Sequence, residues 1–118
     1  MKKGMRMAPS NYKLNLYRGD SASWTFKFWK DDAKTQPVDL TNAVIEAEIR
    51  EKPSGTTIIS LDCVLTSQNV VDVKLTTAHW LKGIPEKGVW DMQVTLPDGT
   101  VYSPLAGAVT VTLDVTDS

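Results

Sequence analysis

The sequence predicts an all-β domain, an antiparallel β-sandwich of seven to eight strands with one short helical turn. A long hairpin over residues 88–115 is the strongest observation, because apolar and polar residues alternate on both sides of Asp98-Gly99. A dipeptide of that type favours a tight turn between two strands. Further runs with the same period of two recur along the chain between turn-forming residues. The pattern lacks the strand–helix–strand alternation of a parallel sheet.

The first two strands lie on either side of a glycine-centred turn. Residues 12–17 alternate in polarity up to Arg18-Gly19-Asp20, which we interpret as a turn rather than an integrin ligand. Residues 23–29 are rich in aromatic side chains, and their apolar face is expected to carry the centre of the core. The other expected strands are 38–40, 43–50, 57–65, 70–75, 88–96 and 101–115.

Residues 76–81 interrupt the alternation and predict the helical turn. A threonine N-cap precedes it and Gly83 ends it. We expect His79, the single histidine of the chain, to lie at the surface or in a cap, and Trp80 to cover one end of the core. Pro104 and residues 106–108 predict a bend or bulge in the last strand. The Cys…Trp…Cys spacing of immunoglobulin domains is absent, so "Ig-like" describes the architecture only.

Charge is distributed unevenly along the 118 residues. The first 18 residues hold five basic groups and no acid, whereas the rest hold eight basic and fourteen acidic residues. This predicts a flexible basic N-terminal arm over residues 1–11 and a single β-sandwich domain over residues 12–118. An acidic body makes nucleic acid an unlikely partner. No apolar run approaches the roughly 20 residues of a membrane span, so we expect no membrane partner.

Residues that could carry chemistry are scattered rather than grouped. Cys63 lies in an alternating apolar run and is expected to be a small buried hydrophobe. Asp31-Asp32 lacks the further oxygen ligands of a calcium loop, and Glu46 and Glu48 are expected to point outward from one strand face. The sequence therefore predicts no enzyme, and no catalytic, cofactor-binding or metal-binding residues.

The candidate interface residues are of two kinds. The basic arm could dock onto an acidic neighbour, and the tryptophans outside the predicted core stripe could mark contacts. The predicted interface residues are Lys2, Lys3, Arg6, Trp29 and Trp80.

Several segments, taken together, resemble a known family. They are residues 17–20 leading into 24–28, then 37–43, 45–50, 75–78, 88–94, 98–100 and 107–111. Their order resembles small virion proteins of tailed bacteriophages, in particular the N-terminal β-sandwich domain of phage baseplate upper proteins. The resemblance covers about residues 12–115, and Trp90 stands where a tyrosine is expected in that family.

The resemblance implies a structural or assembly component of a phage particle, such as a tail, baseplate, neck or fibre-adaptor protein. It implies a virion location, other virion proteins as partners, a homo-oligomer as one arrangement, and no cofactor. The alternative is a carbohydrate-binding or adhesin-like β-sandwich module, in which Trp29 and Trp80 would stack on sugar rings.

Overall fold

The structure, a computed structural model, describes residues 10–112 apart from the side chain of Lys82. Within that range the chain is mostly β, with eight strands and one 3-10 helical turn, Thr77–Lys82. The strands are β1 (Ser10–Asn11), β2 (Leu14–Tyr17), β3 (Ala22–Lys27), β4 (Val44–Arg50), β5 (Thr57–Ser67), β6 (Val70–Leu75), β7 (Lys87–Thr95) and β8 (Val101–Thr112). The prediction of a β-rich chain with one short helical turn is confirmed. In this part of the chain no helix is long and apolar enough to cross a membrane.

The strands form one curled sheet in the order β1-β8-β7-β4-β5-β6-β3, and β2 also pairs with β8. The curl occurs at β5, whose first part pairs with β4 and whose later part pairs with β6. The two ends of the sheet therefore lie over one another. Phe26 of β3 stacks on Trp90 of β7, with ring centroids 6.0 Å apart. We call β1, β2, β8, β7 and β4 the first layer, and β6 and β3 the second layer.

The sheet is mixed rather than purely antiparallel. β1 and β2 pair with β8 in the parallel direction, whereas the other strand pairs in the described range are antiparallel. Alternating polarity shows which face a side chain occupies and carries no information about strand direction, so the sequence predicted β2 to β8 but not this pairing. Residues 38–40, expected to be a short strand, do not form one. The amides of Val38 and Leu40 donate to two different segments, at Phe28 and Gln68, so no ladder develops. Ser10 and Asn11, which the sequence assigned to the arm, form β1.

The core lies between the two layers and follows the predicted alternation. Its buried strand residues are Leu14, Leu16, Ala47, Ile49, Ile59, Leu61, Val71, Val73, Leu75, Trp90, Met92, Val94, Leu105 and Val109. Trp24 and Phe26, expected at the centre of the core, are only partly buried. The reason is that β3 is an edge strand with a neighbour on one side. The centre is instead formed by residues such as Trp90 and Met92 on β7, which has a neighbour on each side.

The predicted hairpin and bulge are both present. The β7–β8 turn closes with the amide of Leu96 donating to the Thr100 carbonyl at 2.8 Å, and Gly99 adopts φ 92°, a conformation that glycine adopts without steric cost. The β7–β8 register then shifts between Met92 and Val94. Two β8 residues, Ser103 and Pro104, there face the single residue Gln93, and Pro104 cannot donate to the ladder. Residues 106–108, included in the prediction, keep a regular register.

Candidate interaction surface

The predicted interface residues do not come together. Lys2, Lys3 and Arg6 lie outside the described residues. Trp29 and Trp80 are both partly buried, but Trp29 follows β3 in the second layer and Trp80 lies on the helical turn. They therefore occupy separate places, and each has to be considered by itself.

Trp80 closes one end of the molecule. Its indole Nε1 donates to the Asp20 carbonyl at 2.8 Å, and the Arg18 guanidinium lies 6.0 Å from the ring centroid. The ring also packs against the core. The hydrogen bond to Asp20 and the contact with Arg18 therefore both hold the turn between β2 and β3 in place. This agrees with the expectation that Trp80 covers one end of the core, and with the reading of residues 18–20 as a turn in which Gly19 has φ 88°.

The single histidine acts as a cap for the same helical turn. The Thr76 amide donates to His79 Nδ1 at 2.8 Å, and His79 Nε2 lies 3.9 Å from an Asp62 carboxylate oxygen. Gly83, at φ 82°, ends the turn as predicted. His79 is therefore used to hold this corner in place.

Trp29 follows the end of β3 and lies beside a structured loop. Its backbone forms an isolated bridge with Pro37, and Trp29 does not belong to the partly buried residues packed against the core. The Asp31 carboxylate holds the intervening loop by accepting hydrogen bonds from the amides of Thr35 and Gln36. A further hydrogen bond from the Thr35 hydroxyl is the main reason why the pKa of Asp31 is lowered.

A second surface, which sequence analysis did not identify, lies on the outside of β4, β7 and β8. We call it the outer face. At its centre, Arg50 Nη1 donates to Asp91 Oδ1 at 3.3 Å, and Arg50 Nη2 donates to a Glu48 carboxylate oxygen. Thr57 Oγ1 donates to the same Glu48 oxygen at 2.9 Å. These side chains remain 25 to 37% exposed, so each ion pair contributes at most about 1 kcal/mol to stability.

The charges of this cluster do not balance. Glu46 lies one row beyond Glu48 on the same outward side of β4, opposite Gln93. The sequence predicted that both glutamates point outward, but Asp91 joins them only because β7 pairs with β4 in this register. The cluster therefore holds three carboxylates and one guanidinium, and Arg50 pairs with two of the three, Glu48 and Asp91.

A groove of about 400 Å³ crosses the outer face beside this cluster. Its lining includes Asn11, Arg50, Pro53, Val89, Asp91 and Ala106. On this face of β8 the lining is small, because Ala106, opposite Asp91, carries only a methyl group. Asn11, at the start of the described chain, forms one wall, so the chain enters the fold at the rim of the groove.

Exposed apolar side chains form a row at the other end of the outer face. Val44 is paired with Thr95, and Thr95 with Val101, so the three residues cross three adjacent strands. Val44 is 56% exposed and Val101 is 51% exposed. Val44 and Val101 thus flank Thr95 on the outward side of three adjacent strands.

Among residues 10–112, no group of three or more histidine, cysteine or acidic side chains is placed to hold a metal ion. Cys63 is partly buried, and burial raises the pKa of its thiol to about 11. Cys63 packs against the core as a small, partly buried side chain, close to the sequence prediction of a buried hydrophobe.

The raised pKa of Cys63 gives a measurable consequence for its reactivity. The thiolate is the reactive form, and at pH 8 a thiol of pKa near 11 is about 100-fold less ionised than one of pKa 9. The higher intrinsic nucleophilicity of such a thiolate recovers part of this difference. We therefore expect Ellman's reagent to react with the native chain at least about ten-fold more slowly than with the chain unfolded in guanidinium chloride. Equal rates would show that Cys63 is accessible and ionised in the folded state.

Comparison with known proteins gives only distant similarities. No protein-family model matches the chain, and a search of curated proteins found no match. Among solved structures, the chain is similar to the R347E mutant of the SrpA adhesin from Streptococcus sanguinis, with a TM-score of 0.49, 16% identity and 89% of this chain covered. It spans 57% of that adhesin chain.

Two further solved structures are similar. Murine CRIg matches with a TM-score of 0.42 and 8% identity, over 86% of this chain and 92% of that chain. The bradyzoite-specific antigen BSR4 from Toxoplasma gondii matches with a TM-score of 0.33 and 12% identity, over 92% of this chain and 44% of that chain. Likenesses at this level carry no argument about function. None of the three is described as a phage protein, so the resemblance to baseplate proteins stays a prediction.

Proposed function

We propose that this chain is a non-enzymatic assembly module that acts through protein–protein contacts. The observation that carries the proposal is the outer face, where an exposed apolar row, an acidic cluster and a groove lie on one side of the first layer. An interface there would bury the apolar row at its core and leave the charged cluster at its polar rim. The open edge of β3, which pairs in the described range with β6 alone, offers a second place for a neighbour to add.

The biological setting of the proposal comes from the sequence resemblance alone. On that resemblance, the chain is a structural component of a tailed-bacteriophage particle, located in the virion as a tail, baseplate, neck or fibre-adaptor protein. Its partners would be other virion proteins or further copies of itself. The proposed architecture is an Ig-like sandwich variant, and the packing of Phe26 on Trp90 across the two layers supports it.

A carbohydrate-binding or adhesin-like module is the second candidate, and one residue favours it. Trp29 is partly exposed and lies outside the packing around the core, and an exposed aromatic ring is the side chain that such a module would use to stack on a sugar. Trp80 is a weaker candidate, because Arg18 already lies over its ring. The outer face spans three strands whereas the carbohydrate-binding candidate rests on one side chain, so we favour the protein-contact proposal.

Self-association tests the assembly proposal directly. We expect light scattering on the full chain to show a defined oligomer whose population rises with concentration. Replacing Val44 and Val101 with lysine would place two charges in the apolar row and should weaken association at least about ten-fold, since burying an unpaired charge is costly. Tyr17→Lys is the control, because Tyr17 is similarly exposed, at 60%, on β2 opposite Thr112, at the far end of β8 from Val101.

Two results would contradict the proposal. Equal weakening by Tyr17→Lys would show that association does not use the apolar row. A monomer at all concentrations, combined with glycan binding that Trp29→Ala abolishes, would favour the carbohydrate-binding candidate.

A further inference from the structure

The groove on the outer face has an apolar floor, and its rim adjoins the acidic cluster of Glu46, Glu48 and Asp91. Its floor includes Val89 and Ala106, and Pro53 contributes one wall. Its rim carries Asp91 and Arg50, and the Arg50 guanidinium is already paired with two carboxylates. An occupant that suits this groove would combine adaptable apolar side chains with positive charge.

The chain itself contains a segment with that composition. Residues 1–9 hold three basic side chains, no acidic side chain, and three of the four methionines of the chain. Methionine is unbranched and flexible, so it fills irregular apolar grooves well. The three positive charges complement the acidic cluster of the outer face.

The position of β1 brings this segment to the groove. Asn11 forms a groove wall and pairs with Ala106 of β8. From β1 to β7 is a distance of two strand spacings, or about 10 Å, which about three extended residues can span. Nine residues are therefore long enough to cross the groove within one copy of the chain.

Backbone chemistry also limits how far the parallel ladder can continue before Ser10. The register places Ser10 opposite Leu105, so the preceding position would face Pro104. Both Pro9 and Pro104 lack an amide hydrogen, and the ladder therefore loses its donors where the described chain begins. Without these amide donors, the parallel pairing with β8 gains no further backbone hydrogen bonds at positions 9 and 104.

We propose that residues 1–9 dock, within the same copy of the chain, into the groove between Asn11 and Arg50. Lys2, Lys3 and Arg6 then lie near Glu46, Glu48 and Asp91, and methionine side chains cover the apolar floor. A tethered segment has a high effective concentration at a site it can reach, so this contact forms without a second copy. The inference does not depend on the self-association proposed above.

Paramagnetic relaxation on the full chain tests the contact. A nitroxide is attached at position 5 in a Met5→Cys chain whose native thiol is removed by Cys63→Ser. We expect the backbone amides of Val89 and Asp91 to lose most of their signal intensity. The amide of Asp72, on β6 in the second layer, should keep its intensity.

Removing the charge complementarity should reverse this effect. In the same labelled chain, the triple substitution Lys2→Gln, Lys3→Gln and Arg6→Gln should restore the groove signals without touching the described fold. Raising the salt concentration should act in the same direction, because exposed charge pairs are screened. Asp72→Asn, at a carboxylate on β6 in the second layer, is the control and should change nothing.

Three outcomes would overturn the proposal. The first is uniform or absent broadening. The second is groove broadening that survives the triple substitution. The third is broadening seen equally when spin-labelled chains are mixed with isotope-labelled, label-free chains, because the segment would then come from a second copy. Light scattering on the same samples reports self-association separately, so failure of one proposal is distinguishable from failure of the other.

Discussion

Gly107→Ala is expected to lower the free energy of unfolding by about 3 kcal/mol or more. A Cβ added at Gly107 would lie 2.1 Å from the Tyr12 carbonyl oxygen and 2.7 Å from the Tyr12 carbonyl carbon. Both are backbone atoms, so no side-chain rotation relieves the clash. The chain between β1 and β2 would have to move away from β8.

That movement would break several interactions at once. The Tyr12 carbonyl accepts a 2.7 Å hydrogen bond from Trp90 Nε1, and the Tyr12 amide donates to the Ala106 carbonyl at 2.9 Å. The Tyr12 ring meets Phe26 edge-on, with centroids 5.0 Å apart. These contacts link β1 and β2 to β7 and to the second layer, so their loss loosens the closure of the curled sheet.

Thermal unfolding followed by circular dichroism measures the effect of Gly107→Ala. A loss of about 3 kcal/mol corresponds to a fall in Tm of roughly 10–20 °C for a domain of this size. Ala108→Ser is the control, since Ala108 is the exposed neighbour on β8 and its change should stay within about 0.5 kcal/mol. An unchanged Tm in Gly107→Ala would show that the Tyr12 backbone does not cross Gly107 at this distance.

The local elements of this fold could be predicted because their signals are local. The alternation of Trp90, Met92 and Val94 assigns them to one face, and the structure buries all three. The turn at Asp98-Gly99 and the bulge near Pro104 follow from backbone chemistry within a few residues. The strand face, the turn and the bulge are each determined by residues within or next to that element.

The outer face could not be predicted, because it depends on register between distant strands. Arg50 meets Asp91 across 41 positions, and Trp90 meets Tyr12 across 78. The polarity pattern gives each strand an inside and an outside but no partner, direction or offset. The groove needs all three, since its lining comes from β1, β4, β7 and β8, and these strands surround one depression only in this order and register.

Trp90→Ala is expected to be as damaging as Gly107→Ala, with a loss of about 3–5 kcal/mol. Trp90 is 2% exposed and stacks on Phe26 across the two layers, so its truncation leaves a cavity between them. Urea unfolding measures the loss. Trp29→Ala is the matched control, because it removes the same side chain from a partly exposed position outside the core packing, and it should cost no more than about 1 kcal/mol.

A double mutant of Gly107 and Trp90 tests whether both residues act on the Tyr12 carbonyl. Trp90→Phe keeps an aromatic ring against Phe26 but removes the indole donor, which should cost about 1–3 kcal/mol because the Tyr12 carbonyl loses its partner. In a Gly107→Ala background that carbonyl is already displaced, so Trp90→Phe should cost clearly less. Additive losses would instead indicate that the two residues stabilise the fold independently. Non-additive losses would show that both residues stabilise the fold through the Tyr12 carbonyl. Trp90 donates a hydrogen bond to that carbonyl, and Gly107 leaves the space that it occupies.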